Sequence, residues 1–231
     1  MLNLDRVQAI TLDLDDTLWP VHATIVRAEA ALSAWLAAHA PAAAKASTDV
    51  ELRKRLRQQV QSQYAECTHD LSLLRLEAIR ALLNHAGEPA HLAEPAFEVF
   101  FAARQQVDLF DDALEALVFW STRYPVVAVS NGNADVHRVG LGAYFHASVS
   151  ARDVGVAKPH LSIFEQAARV AGCAPEAVLH IGDDANTDAL GAMDAGMQTV
   201  WVNRAGHDWP HVHVKPHAEV SDLRALCALW P

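Results

Sequence analysis

The sequence predicts a three-layer α/β fold: a parallel sheet with helices on both faces, interrupted by an all-helical insertion. Three observations carry this expectation. A short apolar, β-branched stretch from Val7 to Leu14 opens the chain and reads as a buried strand. From about Val21 to Val107 the pattern is almost entirely helical. After Asp108, continuous apolar runs alternate with helical segments, as βα units of a parallel sheet do. The helical block stands between the first strand and the rest. The expected core is therefore 1–19 together with 108–231, and the insertion is 20–107.

Taken in order, Trp19-Pro20 breaks the chain after the first strand. In the insertion, Ile25, Leu32, Trp35 and Leu36 recur at helical spacing before His39-Ala40-Pro41. Val50 to Tyr64 forms a second helix, rich in Arg and Gln. Leu71 to Ala86 forms a third, with Leu73, Leu76, Ile79, Leu82 and Leu83 on one stripe and a stop at Gly87. Pro89 to Gln106 forms a fourth, carrying Phe97, Phe100 and Phe101; four helices on short loops make a small bundle. Beyond it, Asp111 to Arg123 reads as helix, Val126 to Val129 as strand, Ala134 to Leu141 as helix and Ala147 to Val149 as strand. Ser162 to Ala171 is a helix stopped by Gly172, Val178 to Ile181 a strand, Asp188 to Ala195 a helix stopped by Gly196, and Thr199 to Val202 a strand. Ser221 to Leu229 closes the chain as a helix with Ser221 as its N-cap.

The bulk properties narrow the function. Hydrophobic residues make up 52% of 231 positions, which provides for a sizeable core. A net charge of −10 argues against nucleic acid as a main partner, because phosphate-backbone binding needs a basic face. Cys67, Cys173 and Cys227 are odd in number and far apart, which suits reduced thiols. No signal peptide and no apolar run of about 18 residues is evident. The expectation is a cytoplasmic protein, monomeric or homodimeric, with no membrane partner.

Open parallel sheets bind ligands beyond the carboxyl ends of their strands. Four polar segments fall there. The first strand ends in Asp13, Asp15 and Asp16, the strand at 126–129 in Ser130-Asn131-Gly132, and the strand at 178–181 in Gly182-Asp183-Asp184, with Asp188 following. The loop after 147–149 leads to Lys158-Pro159. Clustered carboxylates are costly: at ~4 Å and an effective dielectric of about 20 each like-charge pair opposes folding by roughly 4 kcal/mol. A hard divalent cation such as Mg²⁺ would offset that, although an acidic turn capping the next helix is the simpler alternative for the first segment alone.

This set resembles the haloacid dehalogenase superfamily, a group with a Rossmann-like core. DLDDT (13–17) is similar to its first motif, Ser130 to its second, Lys158 to its third and GDDANTD (182–188) to its fourth; the helical insert is similar to its small helical cap. The resemblance implies hydrolysis of a phosphate monoester, with Asp13 as nucleophile forming an aspartyl phosphate and Asp15 as general acid and base. It implies a Mg²⁺ site built from Asp13, Asp15 through its backbone carbonyl, and Asp183. Asp188 would act mainly by orienting water or Lys158, and Asp184 is an alternative to it. Ser130, with the N–H groups of Asn131 and Gly132, would hold phosphoryl oxygens, as Lys158 would neutralise them. Thr17 would fix the loop, and Trp19 either stacks on a substrate ring or serves as a hinge or core aromatic.

Within the superfamily, Asp15 favours a phosphatase over a dehalogenase, since a halide leaves without a proton. Asp16, where phosphomutases usually carry Gly, disfavours a mutase. The segments DLDDTL, SNGN and HIGDDANTDALGAMDAGM, with an Arg-containing third cap helix, most resemble bacterial flavin mononucleotide (FMN) phosphatases, so the expected partner is a small phosphorylated metabolite. A phospho-accepting signalling domain is the non-enzymatic alternative. Arg53, Lys54, Arg55 and Arg57 read either as contacts to an anionic substrate or as a solvated helix face. His211, His213 and His217 form a weak candidate for a transition-metal site.

Overall fold

The computed structural model describes residues 1–230 and divides the chain into two compact units. One comprises Met1–Pro20 and the chain from Asp108 onward; the other is Val21–Val107. Strand β1 (Ala9–Leu12) is followed by the helical unit: α1 (Val21–His39), α2 (Pro41–Ala46), α3 (Val50–Gln63), α4 (Leu71–Ala86) and α5 (Ala93–Arg104). The α/β unit continues with α6 (Ala113–Ser121), β2 (Val126–Ser130), β3 (Ala147–Ser150), α7 (Ala151–Val154), α8 (Leu161–Ala171), β4 (Val178–Gly182), α9 (Gly191–Asp194), β5 (Gln198–Val202), β6 (Ala218–Val220) and α10 (Leu223–Cys227).

The helical unit closes on its own apolar stripe. Leu32 and Leu36 of α1, Leu52 and Leu56 of α3, Ile79, Leu82 and Leu83 of α4, and Phe100 of α5 are all buried in one cluster. The side chains of Asp49 and Asp70 cap α3 and α4, accepting from Leu52 N at 3.0 Å and Leu73 N at 2.9 Å. The short helix α2 was absent from the sequence expectation; Pro41 sits at its first position, where the missing N–H is no loss.

In the α/β unit all strand pairs are parallel, in the order β3-β2-β1-β4-β5-β6. The central strands β1, β2, β4 and β5 are buried throughout, which is why they read as unbroken apolar runs. The order reverses beside β1, with β2 and β3 to one side and β4, β5 and β6 to the other.

Several expectations are corrected. Residues 134–141 form turns instead of a helix: the Asp135 carboxylate caps the start, accepting from His137 N at 2.8 Å and Arg138 N at 3.2 Å, but Gly140, at a φ of +85°, ends the segment after a single turn. The N-cap of α10 is Asp222, whose Oδ1 accepts from Ala225 N at 2.7 Å, and Ser221 merely donates to the same carboxylate. The helix expected from Asp188 is a π-helical turn, Ala185–Leu190, running into α9. The edge strand β6 is three residues long and only partly buried, too short to show a period.

Candidate active site

The register of the two central strands builds the site. Leu12 pairs with Ile181, and the N–H of Asp13 donates to the Ile181 carbonyl at 2.9 Å. Asp13 therefore leaves β1 beside Gly182, the last residue of β4. A Cβ at Gly182 would lie 2.4 Å from Cγ of Asp188, so glycine there is what lets the Asp188 carboxylate fold back against the strand end. The turn after Asp13 is closed by Asp16 N donating to Trp19 O at 2.8 Å, with Asp16 at a φ of +59°.

Lys158 arrives from the β3 side and is buried. Its ammonium donates to Asp13 Oδ1 and, at 2.5 Å, to Asp188 Oδ1. Asn131 fixes its backbone by two hydrogen bonds: Asn131 Oδ1 accepts from Lys158 N at 2.7 Å and Nδ2 donates to Lys158 O at 3.0 Å. Ser130 is buried at the end of β2, and its Oγ accepts from Gly132 N at 2.9 Å. Opposite, Thr17 Oγ1 donates to Asp183 Oδ1 at 2.9 Å and Trp201 Nε1 donates to the Asp183 carbonyl at 2.6 Å. Carboxylate oxygens of Asp13, Asp183 and Asp188 all lie within 4.8 Å of one another. Three carboxylates face one ammonium, and this hard-oxygen set with excess negative charge suits Mg²⁺.

The electrostatics follow from burial. Desolvation pushes the Asp13 carboxyl well above its usual range, opposed by Lys158 and reinforced by Asp188 and Asp183. Asp183 is pushed up to about 7 by burial and by the Asp188 charge, with the Thr17 hydrogen bond acting the other way. Asp188 is also buried, but Lys158 and His180 outweigh that and hold its carboxyl below the normal range. Burial lowers His180, whose Nδ1 meets Thr11 Oγ1 at 2.9 Å and whose Nε2 lies 3.4 Å from Asp188 Oδ1.

The sequence-derived residues thus fall into groups. Asp13, Lys158, Asp183 and Asp188 come together, with Ser130 at the end of the adjoining strand. Thr17, expected to fix the loop, bonds to Asp183, and the side chain of Asn131, whose N–H was expected to meet phosphate, is committed to the Lys158 backbone. Trp19 is fully buried and donates to Asp15 Oδ1 at 2.8 Å, so it is not available to stack on a substrate ring. Asp184 caps the π-helical turn, its Oδ1 accepting from Asn186 N at 2.8 Å and Thr187 N at 2.7 Å; Asp188, not Asp184, meets Lys158. His180 and Trp201 were missed, because an isolated His or Trp in an apolar strand gives no sequence signal beyond core packing. His211, His213 and His217 do not form a metal-competent cluster among the described residues. Lys54, Arg55 and Arg57 are exposed and Arg53 is partly buried; Arg53 and Arg57 also line a cavity of the helical unit.

A sequence profile for haloacid dehalogenase-like hydrolases matches residues 7–196. The chain belongs to this hydrolase family. Among family members, the 5-amino-6-(5-phospho-D-ribitylamino)uracil phosphatase YigB of Escherichia coli is 33% identical over 234 residues, 98% of this chain and 97% of that protein. The N-acylneuraminate-9-phosphatase of Mus musculus is 26% identical over 99% of this chain and 95% of its own. A solved structure described as a 2-haloacid dehalogenase from Pseudomonas syringae pv. Tomato DC3000 superposes with a TM-score of 0.90 at 35% identity, covering 97% of this chain and all of that one. Within the haloacid dehalogenase-like hydrolases this chain is a phosphatase. No helix of the described residues is long and apolar enough to cross a membrane.

Proposed function

We propose that the chain is a Mg²⁺-dependent phosphatase that acts through an aspartyl phosphate on Asp13, with a ribityl phosphate carried on a nitrogen heterocycle as substrate. The convergence of Asp13, Asp183, Asp188 and Lys158 at the strand ends supports the chemistry. Full-length similarity to the ribitylaminouracil phosphatase supports the substrate, and FMN shares its phosphorylated ribityl chain. The cytoplasmic setting expected of such a metabolite enzyme belongs to the same proposal.

In this reading Asp13 attacks phosphorus and the leaving oxygen takes its proton from Asp15. Asp15 then draws a proton from the water that cleaves the acyl phosphate. Trp19 holds Asp15 in one orientation through the indole N–H. Lys158, positioned by Asn131 and Asp188, neutralises phosphoryl oxygens, and Ser130 hydrogen-bonds to them. Asp13 and Asp183, with the Asp15 carbonyl, would hold Mg²⁺, which when bound keeps the carboxylates ionised and offsets phosphoryl charge.

The test is multiple-turnover hydrolysis of p-nitrophenyl phosphate, FMN and 5-amino-6-(5-phospho-D-ribitylamino)uracil, with halide release from 2-chloropropionate as control. Turnover should require Mg²⁺ and fall by about a thousandfold or more in Asp13→Asn. Halide release without phosphate release would favour a dehalogenase, and stoichiometric phosphorylation without turnover a signalling domain.

A further inference from the structure

The helical unit contains a small cavity of about 70 Å³, open to solvent, between α1, α3 and α4. Its lining divides by chemistry. Leu32, Leu36, Leu56, Ile79 and Leu82 supply an apolar wall, and Arg53, Arg57 and Arg75 supply three guanidinium groups. Glu29 is the acidic residue of the lining, and two arginines already share it: its Oε1 accepts from Arg75 Nη1 at 2.6 Å and from Arg57 Nη2 at 3.3 Å. Arg75 is held further by the Phe100 ring, with its guanidinium carbon 4.2 Å from the ring centroid. Arg53 has no such partner, and its Nε is buried without a hydrogen bond.

Two things about this arrangement are unsatisfied. A buried donor left unbonded opposes folding by about 1–3 kcal/mol, so native structures rarely keep one without a reason. Three like charges against one carboxylate also leave two in excess, and the proximity of Arg75 and Arg53 adds to burial in disfavouring the charged form of Arg57. An oxyanion answers both, because guanidinium forks bind phosphate and carboxylate in a bidentate way. A purely structural cluster would be balanced by a second acid; Arg57 is half in solvent, but Arg53 and Arg75 are partly buried at the cavity wall.

We infer that this cavity is an anion-binding site belonging to the helical unit itself, taking a small organic molecule that presents a phosphate- or carboxylate-type oxyanion to Arg53, Arg57 and Arg75 and an apolar body to the leucine-lined wall. Glu29 acts there as an internal competitor for the arginines and limits affinity. The inference does not depend on the phosphatase chemistry of the other unit.

The experiment uses the full chain, kept metal-free with a chelator, and phenylphosphonate as a non-hydrolysable probe, with affinity from calorimetry and location from backbone amide shifts. The probe should shift amides around Glu29, Arg53 and Arg75. Arg53→Gln should weaken binding about tenfold, the loss of a charge-assisted hydrogen bond. Glu29→Gln should tighten it severalfold by releasing Arg57 and Arg75, a gain that a structural role for Glu29 would not produce. Shifts confined to residues around Asp13, Ser130 and Lys158, or an affinity unchanged or weakened in Glu29→Gln, would overturn the inference. Phosphatase activity is scored separately on p-nitrophenyl phosphate, so either reading can fail alone.

Discussion

Asp15 and Trp19 show how a residue's role changes once its partners are known. Directly after an acidic loop, an aromatic invites a stacking role. Here the indole is buried and its N–H is bonded to Asp15, so it orients the residue assigned the proton transfers. Trp19→Phe keeps an aromatic side chain, though a smaller one, and removes the donor. We expect kcat for p-nitrophenyl phosphate to fall about tenfold, since a hydrogen bond to a charged group is worth roughly 1.5 kcal/mol; unchanged kcat would remove this orienting role. Asp16 carries a similar lesson. Its φ of +59° is a left-handed conformation that Gly adopts freely and Asp tolerates, so Gly or Asp there answers one backbone demand and does not separate mutase from phosphatase. Gly182 is the reverse case, because its small size makes room for Asp188. Gly182→Ala should displace that carboxylate and weaken Mg²⁺ binding about tenfold, read as the Mg²⁺ concentration for half-maximal activity. The carboxylates and Lys158 were legible in the sequence because such groups at strand ends have no bland explanation in combination. His180, Trp201 and the clamping role of Asn131 were not, since their meaning lies in partners distant along the chain.

At the scale of elements, the apolar strands and the long cap helices were readable because burial on both faces, or on one helical stripe, imposes a period on the sequence. Short elements carry no period. α2, α7 and β6 escaped for that reason, and 134–141 was misread because the segment, though capped by Asp135, is ended after one turn by the left-handed Gly140. The start of α10 turns on which of two adjacent residues reaches the first-turn N–H groups. Asp222→Ala should lower stability by about 1 kcal/mol and Ser221→Ala by much less, measured as urea midpoints. Equal losses would contradict the capping geometry.

For the whole molecule, the site places like charges together at a cost that the rest of the fold sustains. Asp183, pushed up to about 7, keeps its proton in the metal-free folded state at pH values where the unfolded chain has lost it. Its contribution to stability is present below its unfolded pKa of 3.8 and is lost as pH rises through about 7. His180, lowered by burial, acts oppositely below its normal value of 6.5, so the comparison must isolate Asp183. Without metal, the melting temperature of Asp183→Asn relative to wild type should therefore rise between pH 5 and pH 8. Mg²⁺ must displace the same proton, so its stabilisation of the wild type should grow over that interval and be largely lost in Asp183→Asn. A pH-independent Mg²⁺ effect would contradict this linkage.

The account rests most heavily on the carboxylate that ends β1 becoming phosphorylated. Acid-quenching the enzyme during turnover of ³²P-labelled substrate with Mg²⁺, then mapping the label by peptide mass analysis, addresses this directly. The account predicts a base-labile phosphoryl group on Asp13 whose formation and breakdown keep pace with turnover. Label on any other residue, or full turnover by Asp13→Asn, would contradict it.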